Sequence, residues 1–365
     1  MNKDNKEHII LLSDNLDSGG AQRQLIGLSI MLQERGYKVE IIDYFQIKFW
    51  DSYLIENNIR FTHLRCNENS SLSKMMVVWK YLYVNNPTHV IAFLNSPTII
   101  AGLFKMFFPH RFTLISSDRN TDINISRYTK LKFFAYRFAE WIVPNSHTQA
   151  EVIMRNCPKL SKKIKVITNF VDQSKFAPTP TDKLLDNHSK ILAVGRFAPQ
   201  KDVLSLLRAL VLLDEERLAF HIDWYGRPNP QSYFDECLKF MEDHPGIKKY
   251  ISFHNHINNI ETIYANYGAL ILTSIYEGYP NVIGEAMSCG LPILCTNVCD
   301  NGYMVKDGVN GFLFEKEVPR AIADAIIRYI KMSDDQILEM YKNNIAFAQE
   351  TLSMNTFVNN YIEMI

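Results

Sequence analysis

Residues 274–289 read S-I-Y-E-G-Y-P-N-V-I-G-E-A-M-S-C and follow a short apolar run, G-A-L-I-L-T, at 268–273. The apolar run suits a buried parallel strand. Residues 281–289 suit a short helix with Pro280 near its first position, where a missing N–H costs nothing. Gly290 and Pro292 close this helix. The stretch therefore predicts a strand, a loop and a helix in succession, as in a parallel α/β sheet.

Two carboxylates frame the start of this helix. Glu277 lies in the loop, and Glu285 lies a little over one turn into the helix. The N–H groups of the helix N-terminus lie between them and favour an anion. A sugar nucleotide needs both features, because its diphosphate is anionic and its sugar and ribose carry many hydroxyls. The alternative is that Glu277 is a surface loop residue and Glu285 a solvated helix residue.

The same alternation of strands and helices continues along both halves of the chain. It predicts parallel sheets with right-handed crossovers, and such sheets bind ligands at the carboxyl ends of their strands. We predict domains at 1–175 and 189–351, a linker at 176–188, and a C-terminal helix at about 352–365 that can pack back on the first domain. The predicted strands are 8–13, 37–44, 88–94, 112–117, 141–144, 165–169, 190–195, 221–225, 250–253, 268–273, 292–296 and 311–314. A helix is predicted at 259–267.

Composition excludes several classes of protein. The 365 residues are 47% hydrophobic and carry no formal net charge, which indicates a globular protein with a sizeable core. Residues 1–180 hold 23 Lys and Arg against 15 Asp and Glu, whereas residues 181–365 hold 16 against 24. The basic half suggests an anionic partner such as lipid headgroups or a phosphorylated acceptor, and no motif supports nucleic acid.

Targeting and metal signals are weak. The opening M-N-K-D-N-K-E-H lacks the apolar core of a signal peptide, and the apolar stretch 90–108 is interrupted by polar residues. The six cysteines form no C-x-x-C pair, which favours reduced thiols in a cytoplasmic protein. A zinc site remains the alternative; its candidate ligands are Cys289, Cys295, Cys299, His254 and His256. No D-x-D occurs, so we expect no metal on the diphosphate.

Three further segments follow predicted strands. Gly19 and Gly20 open the first helix, where glycine permits close backbone approach to a ligand. Arg196 and Lys201 can converge on one anion after the strand 190–195. Residues 116–122 place Asp118, Arg119 and Asp122 at the edge of the first sheet. The alternatives are a tight turn, ordinary surface cations, and a polar loop in which Asp118 caps a helix.

The segment E-G-Y-P-N-V-I-G-E-A-M-S-C-G-L-P-I closely resembles the E-x7-E segment of retaining glycosyltransferases of family 4, which have the GT-B fold. G-R-F-A-P-Q-K-D at 195–202 is similar to that family's G-R-x-x-x-x-K-G/N element, with Asp202 as a departure. S-G-G-A-Q-R at 18–23 resembles its G-G-A-E-R loop, with Gln22 in place of Glu. S-S-D-R-N at 116–120 resembles the S-x-R-N element of relatives that elongate lipid-linked oligosaccharides.

The resemblance implies an α/β protein of two Rossmann-like, doubly wound domains facing a cleft. It implies a retaining, metal-independent glycosyltransferase without a cofactor, which moves a HexNAc or hexose from a nucleoside-diphosphate sugar, expected to be UDP-linked, to a sugar hydroxyl of a lipid-linked or oligosaccharide acceptor. The catalytic candidates are Glu277, Asp118 and Arg119. The donor-binding candidates are Gly19, Gly20, Arg196, Lys201, Gly278, Tyr279, Pro280, Asn281, Val282 and Glu285.

Three other functions fit parts of the pattern. A non-catalytic sugar-nucleotide-binding partner protein would keep the fold and lose turnover, but the full set of Glu277, Glu285, Arg196 and Lys201 argues against it. A sugar-nucleotide epimerase would convert the donor without an acceptor. A retaining glycosidase also uses two carboxylates but does not need the diphosphate cations.

Aromatic residues alternate with cations at 104–112 and 130–141. Such a mixture can lie at a membrane interface, which predicts contact with the anionic inner face of the plasma membrane through cations such as Lys105, Lys130 and Lys132. A buried helix with snorkelling cations is the alternative. We therefore expect a cytoplasmic protein that is peripheral on this membrane.

Overall fold

The computed structural model describes residues 7–122, 124–216 and 218–365, which form two compact units. The first unit comprises the described residues up to Phe170 together with Met354–Ile365, and the second comprises Val171–Ser353. Residues 1–6, which carry most of the opening segment considered above, lie outside the described residues. No helix within the described ranges combines the length and apolar character that a membrane span requires.

The first unit is built on six parallel strands in the order β3-β2-β1-β4-β5-β6. This order is that of a doubly wound sheet, with its switch point between β1 and β4. Apolar residues fill β1 and β4, as expected for strands covered on both faces. The strands are β1 His8–Leu12, β2 Lys38–Asp43, β3 Arg60–His63, β4 His89–Phe93, β5 Thr113–Asp118 and β6 Trp141–Pro144.

Seven helices of the described first unit cover the two faces of this sheet. They are α1 Gly20–Glu34, α2 Asp51–Glu56, α3 Ser71–Asn85, α4 Asn95–Phe107, α5 Arg127–Ala135, α6 His147–Asn156 and, after the chain returns from the second unit, α14 Met354–Ile362. Phe357 and Tyr361 of α14 share a core cluster with Leu25 of α1. Val78 of α3 and Phe104 of α4 belong to a second cluster against the sheet.

The second unit repeats the same topology. Its parallel strands lie in the order β12-β11-β10-β7-β8-β9. The strands are β7 Lys190–Val194, β8 His221–Tyr225, β9 Ile251–His254, β10 Ala269–Leu272, β11 Ile293–Thr296 and β12 Gly311–Phe314. The helices are α7 Thr181–Asp186, α8 Val203–Leu213, α9 Gln231–Asp243, α10 Asn281–Ser288, α11 Asn301–Met304, α12 Pro319–Ile330 and α13 Asp334–Thr351.

Several sequence predictions need correction. Residues 165–169 form no strand, whereas β3 was missed because it is an edge strand whose side chains are partly exposed. Residues 259–267 form two short 3₁₀ turns instead of one helix. The segment 176–188, predicted as a linker, lies within the second unit: it contains α7, Leu184 is fully buried, and the N–H of Thr179 donates to the carbonyl of Cys289.

Candidate functional site

Two loops of the second unit meet at the carboxyl edge of its sheet. They follow β7 and β10, which are neighbouring parallel strands. The N–H of Ile275 donates to the carbonyl of Gln200 over 2.8 Å, and the Gln200 side chain donates to the carbonyl of Tyr276 over 3.0 Å. Thr273 Oγ1 donates to the carbonyl of Lys201 over 2.8 Å. The fold therefore brings the predicted cation segment and the predicted carboxylate segment together as one site.

Glu277 lies at the centre of this site and is only 8% exposed. Its Oε1 accepts hydrogen bonds from Lys201 Nζ at 2.5 Å and from Ser274 Oγ at 2.6 Å. The stem of Lys201 crosses Gly195, where a Cβ atom would stand 3.2 Å from Lys201 Cε. Because an ammonium group has three donors, Lys201 can hold Glu277 and still donate to a bound anion.

Arg196 differs from Lys201 in its surroundings. Its side chain is exposed and makes no hydrogen bond or ion pair with any described residue. The guanidinium group of Arg196 can therefore bind an anion at this edge of the sheet without first breaking a contact with the protein.

The predicted cation segment 195–202 ends at Asp202. Its backbone has φ 50° and ψ 50°, in the left-handed region that glycine, asparagine and aspartate adopt most readily. Its side chain also caps α8 by accepting from the N–H of Ser205 at 3.3 Å. Aspartate therefore satisfies the backbone requirement that Gly or Asn would meet at this position, and the departure from the family pattern has a structural reason.

Helix α10 begins at Asn281, as predicted, with Pro280 as its N-cap, and it ends at Ser288, one residue before the predicted end. The carbonyl of Pro280 accepts from the N–H of Ile283. Because Val282 lies in the first turn, its N–H has no acceptor within the helix. Gly290 ends the helix with φ 82°, and a Cβ there would stand 2.1 Å from the Tyr341 ring. The N-terminus of α10 is an anion-binding end of the expected kind, beside the half-buried Gly278 and the buried Tyr279.

Glu285 lies inside the unit and is only 5% exposed. Its Oε2 accepts a hydrogen bond from the Tyr264 hydroxyl at 2.8 Å. Burial and the charge of Glu285 raise the pKa of Cys289 to about 12, which keeps that thiol protonated. Because Glu277 and Glu285 are both buried, the alternative that they are solvated surface residues is wrong.

The glycine loop of the first unit has a different character. Gly19 is the N-cap of α1, and Gly20 is its first residue. A Cβ on Gly19 would come within 2.3 Å of Gln22 Oε1, and Gln22 Nε2 donates to Asn15 Oδ1 over 3.0 Å. Gln22, which replaces the usual glutamate of the resembled loop, thus orders this loop, and Gly19 leaves space for it.

Asp118 ends β5 and is 1% exposed. Its Oδ2 accepts hydrogen bonds from Lys132 Nζ, the Tyr136 hydroxyl and Gln149 Nε2 at 2.9, 2.6 and 2.8 Å. Lys132 Nζ also pairs with Asp122 at 2.6 Å. Asp118 and Asp122, which were expected at the edge of the first sheet, form a buried ionic network with Lys132, and Asp118 caps no helix.

Arg119 is also enclosed within the first unit, with 7% exposure. Its guanidinium donates to Ser117 Oγ at 2.9 Å, to the carbonyl of Ile167 at 3.0 Å and to the Tyr361 hydroxyl at 2.5 Å. Arg119 therefore ties the end of β5 to the returning helix α14. In this structure its donors are directed at protein groups.

The sequence analysis named Lys132 as a membrane-facing cation, with a buried helix as the alternative, and it missed the pairing of Lys132 with Asp118 and Asp122. The buried residues Thr129, Lys132, Phe133 and Tyr136 lie three or four positions apart, the spacing of one helix face. That periodicity was the available signal. Lys105 is likewise buried and pairs with Glu140, so neither Lys105 nor Lys132 can contact a membrane surface as predicted.

A second polar cluster lies at the ends of β8 and β9. His254 Nε2 lies 2.6 Å from Asp223 Oδ1, and its ring stacks on Tyr225 with centroids 4.6 Å apart. The Tyr267 hydroxyl donates to Asp223 Oδ2 over 3.1 Å. Asp223 therefore fixes His254, which the sequence offered only as an alternative metal ligand. Across the described ranges, no group of three or more His, Cys, Asp or Glu side chains is placed to hold a metal ion.

Comparison with known proteins identifies relatives of this chain. Residues 188–332 match the family model described as Glycosyl transferases group 1. UDP-Gal:α-D-GlcNAc-diphosphoundecaprenol α-1,3-galactosyltransferase of Escherichia coli is 28% identical over 60% of this chain and 57% of its own length. A Campylobacter jejuni N-acetylgalactosamine-N,N'-diacetylbacillosaminyl-diphospho-undecaprenol 4-α-N-acetylgalactosaminyltransferase is 24% identical over 69% of this chain and 68% of its own length. The matched part thus spans just over half of the first relative.

Solved structures match nearly the whole chain. Anabaena HepE in complex with UDP and glucose aligns with a TM-score of 0.82 and 18% identity, over 97% of this chain and 98% of that one. A glycosyltransferase from Rickettsia africae aligns with a TM-score of 0.85 and 18% identity, over 99% and 98% of the two chains. Together with the two doubly wound sheets, these likenesses confirm the predicted GT-B fold.

Proposed function

We propose that the chain is a glycosyltransferase acting on a lipid-linked acceptor, because residues 188–332 match the Glycosyl transferases group 1 model. It moves a HexNAc or hexose from a UDP-linked donor to a sugar hydroxyl of that acceptor. The Escherichia coli and Campylobacter jejuni relatives are both named for diphosphoundecaprenol-linked acceptors, and the Anabaena HepE structure contains UDP. These names support the choice of acceptor and nucleotide.

The observation that carries the proposal is the arrangement at the carboxyl edge of β7 and β10. Lys201, the exposed Arg196 and the N-terminus of α10 supply donors for a diphosphate. Glu285 supplies a buried carboxylate for the ribose hydroxyls, already oriented by Tyr264. Donors for an anion and acceptors for hydroxyls at one edge of the sheet are what a sugar nucleotide requires.

We assign Glu277 to the donor sugar. Its carboxylate is fixed by Lys201 and Ser274, so it can position an oxocarbenium-like transition state without rearranging. Arg196, Lys201 and α10 stabilise the negative charge that grows on the leaving nucleoside diphosphate. These groups hold the diphosphate without a metal ion in this proposal.

Retention of configuration is the stereochemical part of the proposal. The Escherichia coli relative is named for UDP-Gal and an α-1,3 product. UDP-galactose is itself an α-glycoside, so an α-linked product corresponds to retention. We expect the same outcome for this chain.

Asp118 and Arg119 receive a positioning role. Protein groups already occupy the Asp118 Oδ2 atom and the Arg119 donors, so we propose that these residues order the loop after β5, from which the acceptor is approached. In this view they act through that loop, and neither touches the reacting atoms. The unit's basic composition fits a phosphorylated, membrane-borne acceptor.

Titration calorimetry with a panel of sugar nucleotides tests the proposal. We expect UDP-sugars to bind and to stabilise the protein, by about 2.7 kcal/mol at 100 times the dissociation constant. Glu285→Ala should raise the dissociation constant about tenfold or more, since a hydrogen bond to a charged group is worth roughly 1.5–3 kcal/mol. An unchanged dissociation constant for Glu285→Ala would reject its ribose role.

Turnover assays on the same samples separate the other functions. Slow donor hydrolysis with transfer to a lipid-linked saccharide is the result expected of a glycosyltransferase. Binding without hydrolysis or transfer would indicate a non-catalytic partner protein, and conversion of the donor to another sugar nucleotide would indicate an epimerase. Failure of every sugar nucleotide to bind would overturn the proposal.

A further inference from the structure

Helices α3, α4 and α5, together with the turn from Phe108 to Arg111, form an outer helix layer on one side of the first unit. Helix α4 packs between the other two, and Gly102 approaches α5 so closely that a Cβ there would stand 2.8 Å from the carbonyl of Ala135. Tyr83 of α3 contacts Phe108, with ring centroids 5.6 Å apart, which joins α3 to the end of α4. The layer is therefore one continuous surface.

This outer helix layer holds an unusual share of exposed apolar side chains. Of the 19 large hydrophobic residues that are exposed in the described chain, ten lie on it, whereas the whole second unit has five. The ten are Leu72, Met76, Tyr83, Val84, Met106, Phe107, Phe108, Tyr128, Leu131 and Phe134. Single exposed apolar residues need no explanation, but a concentration of this kind marks a surface that contacts something.

The charge of the layer has a single sign. No Asp or Glu occurs in residues 69–117 or 123–139, so all three helices lack acidic residues. Lys80, Arg127 and Lys130 are exposed among the apolar side chains. The carboxylates that pair with Lys105 and Lys132 neutralise only those buried lysines. What faces outward is apolar and cationic.

This combination selects an anionic lipid surface over a second copy of the chain. A two-fold dimer through this face would place the same cations against each other, and no carboxylate on the three helices would compensate them. A bilayer interface accepts aromatic and aliphatic side chains while its phosphates attract lysine and arginine.

We propose that the outer helix layer is the surface through which this protein lies on an anionic bilayer. Met76, Phe107 and Leu131 enter the interface, while Lys80, Arg127 and Lys130 face the lipid phosphates. The inference rests on the proposed function in that a lipid-linked acceptor requires such contact. It replaces the buried cations that the sequence suggested with residues that can reach a membrane.

Vesicle co-sedimentation with full-length protein tests the cations. Vesicles of equal parts phosphatidylglycerol and phosphatidylcholine should bind the protein, and binding should weaken as salt rises. Each cation at an anionic leaflet is worth about a fivefold change in partitioning, so replacing Lys80, Arg127 and Lys130 together by Glu should weaken binding at least about 100-fold. Replacing the exposed lysines Lys183, Lys248 and Lys342 of the second unit by Glu changes the net charge equally and should have little effect.

A second set of variants tests the apolar residues of the outer helix layer. It combines Met76→Ser, Phe107→Ser and Leu131→Ser. The matched control on the second unit combines Leu212→Ser, Leu238→Ser and Val309→Ser, which also replace exposed apolar residues. Only the first set should lose the binding that persists at high salt. Equal losses from the matched sets, or absence of binding at low salt, would overturn the proposal. A concentration-dependent dimer that the first set alone abolishes would also overturn it and would assign the layer to a second copy.

Calorimetry with UDP on each variant keeps this test separate from the proposed function. Unchanged UDP binding with lost vesicle binding supports the surface. Vesicle binding without any nucleotide binding would leave the surface standing and contradict the proposed function alone.

Discussion

Lys201 and Glu277 show how one residue pair can hold a site together and remain available to a ligand. Both side chains are mostly buried, and their atoms are 2.5 Å apart. A buried pair of this kind contributes little net stability, but removal of one partner leaves the other charge uncompensated. The pair is therefore most informative when its members are replaced singly and together.

We predict that Lys201→Met lowers the free energy of unfolding by about 3 kcal/mol, because the Glu277 charge loses its cation. The double variant Lys201→Met, Glu277→Gln should recover about half of this loss in urea denaturation, since no buried charge is left over. Arg196→Met, at the exposed neighbouring cation, should stay within about 0.5 kcal/mol of wild type while still weakening UDP binding. Additive losses in the double variant would show that the pair is not coupled.

The buried carboxyl group of Asp202 leads to a prediction about how stability depends on pH. Burial raises its pKa, and its Oδ2 atom has no hydrogen-bond partner among the described atoms, although Ser205 opposes the shift. Because the Asp202 pKa is higher in the folded protein, the folded state keeps this proton to a higher pH than the unfolded chain does. The stability that proton binding at Asp202 contributes is therefore lost as pH rises through the folded-state pKa. Asp202→Asn keeps the left-handed backbone and the helix cap without the charge.

We therefore expect Asp202→Asn to be at least as stable as wild type at pH 7, with its advantage shrinking as pH falls towards the usual aspartate range. Asp202→Ala should lose about 2 kcal/mol, roughly half from the cap and half from left-handed strain. Thermal unfolding across pH measures both. A pH-independent difference between Asn and Asp would contradict the assigned cause.

At the scale of elements, α5 separates two neighbouring lysines into opposite roles. Lys132 is buried against Asp118 and Asp122, whereas Lys130 faces solvent two positions away. Burial lowers the pKa of Lys132, but the two carboxylates outweigh it and raise the pKa overall. The helix therefore needs a charged lysine at 132 and tolerates other residues at 130.

Lys132→Met should cost about 3–5 kcal/mol, or prevent folding, because two carboxylates lose their cation. Lys130→Met makes the same chemical change on the exposed face and should fall within about 0.5 kcal/mol of wild type. Urea denaturation of both variants, with circular dichroism to confirm folding, gives the comparison. Similar losses for the two variants would mean that α5 is not oriented as described.

Most elements of the second unit were predictable from sequence, because buried strands such as β10 and capped helices such as α10 carry local signals. The edge strand β3 lacks a buried apolar run, so its sequence resembles a loop. The site was partly predictable. The resemblance to family 4 glycosyltransferases assigned Glu277 and Lys201 to one donor site, but only tertiary packing reveals that Arg119 and Asp118 form their hydrogen bonds with other protein groups.

At the scale of the whole chain, residues from the C-terminal end of the chain complete the first unit. Tyr361 of α14 is fully buried, and its hydroxyl contacts Ser117 Oγ at 2.9 Å and accepts from Arg119. We predict that deletion of residues 354–365 unfolds the first unit, since Phe357 and Tyr361 leave the core. Tyr361→Phe should cost only about 1–3 kcal/mol, because the ring stays and Arg119 loses one acceptor. Hydrogen exchange resolved by peptide measures the first unit directly, and undiminished protection after the deletion would contradict this role for α14.

A transfer assay tests the central claim most directly. It uses UDP-sugars as donors and a polyprenyl-diphosphate-linked saccharide as acceptor, and NMR gives the anomeric configuration of the product. We expect an α-linked product from an α-linked donor, formed equally well in EDTA. At donor concentrations that saturate the wild type but not Glu285→Ala, we expect no product from the variant. An inverted product, a strict metal requirement, or no transfer from any UDP-sugar that binds would contradict the claim.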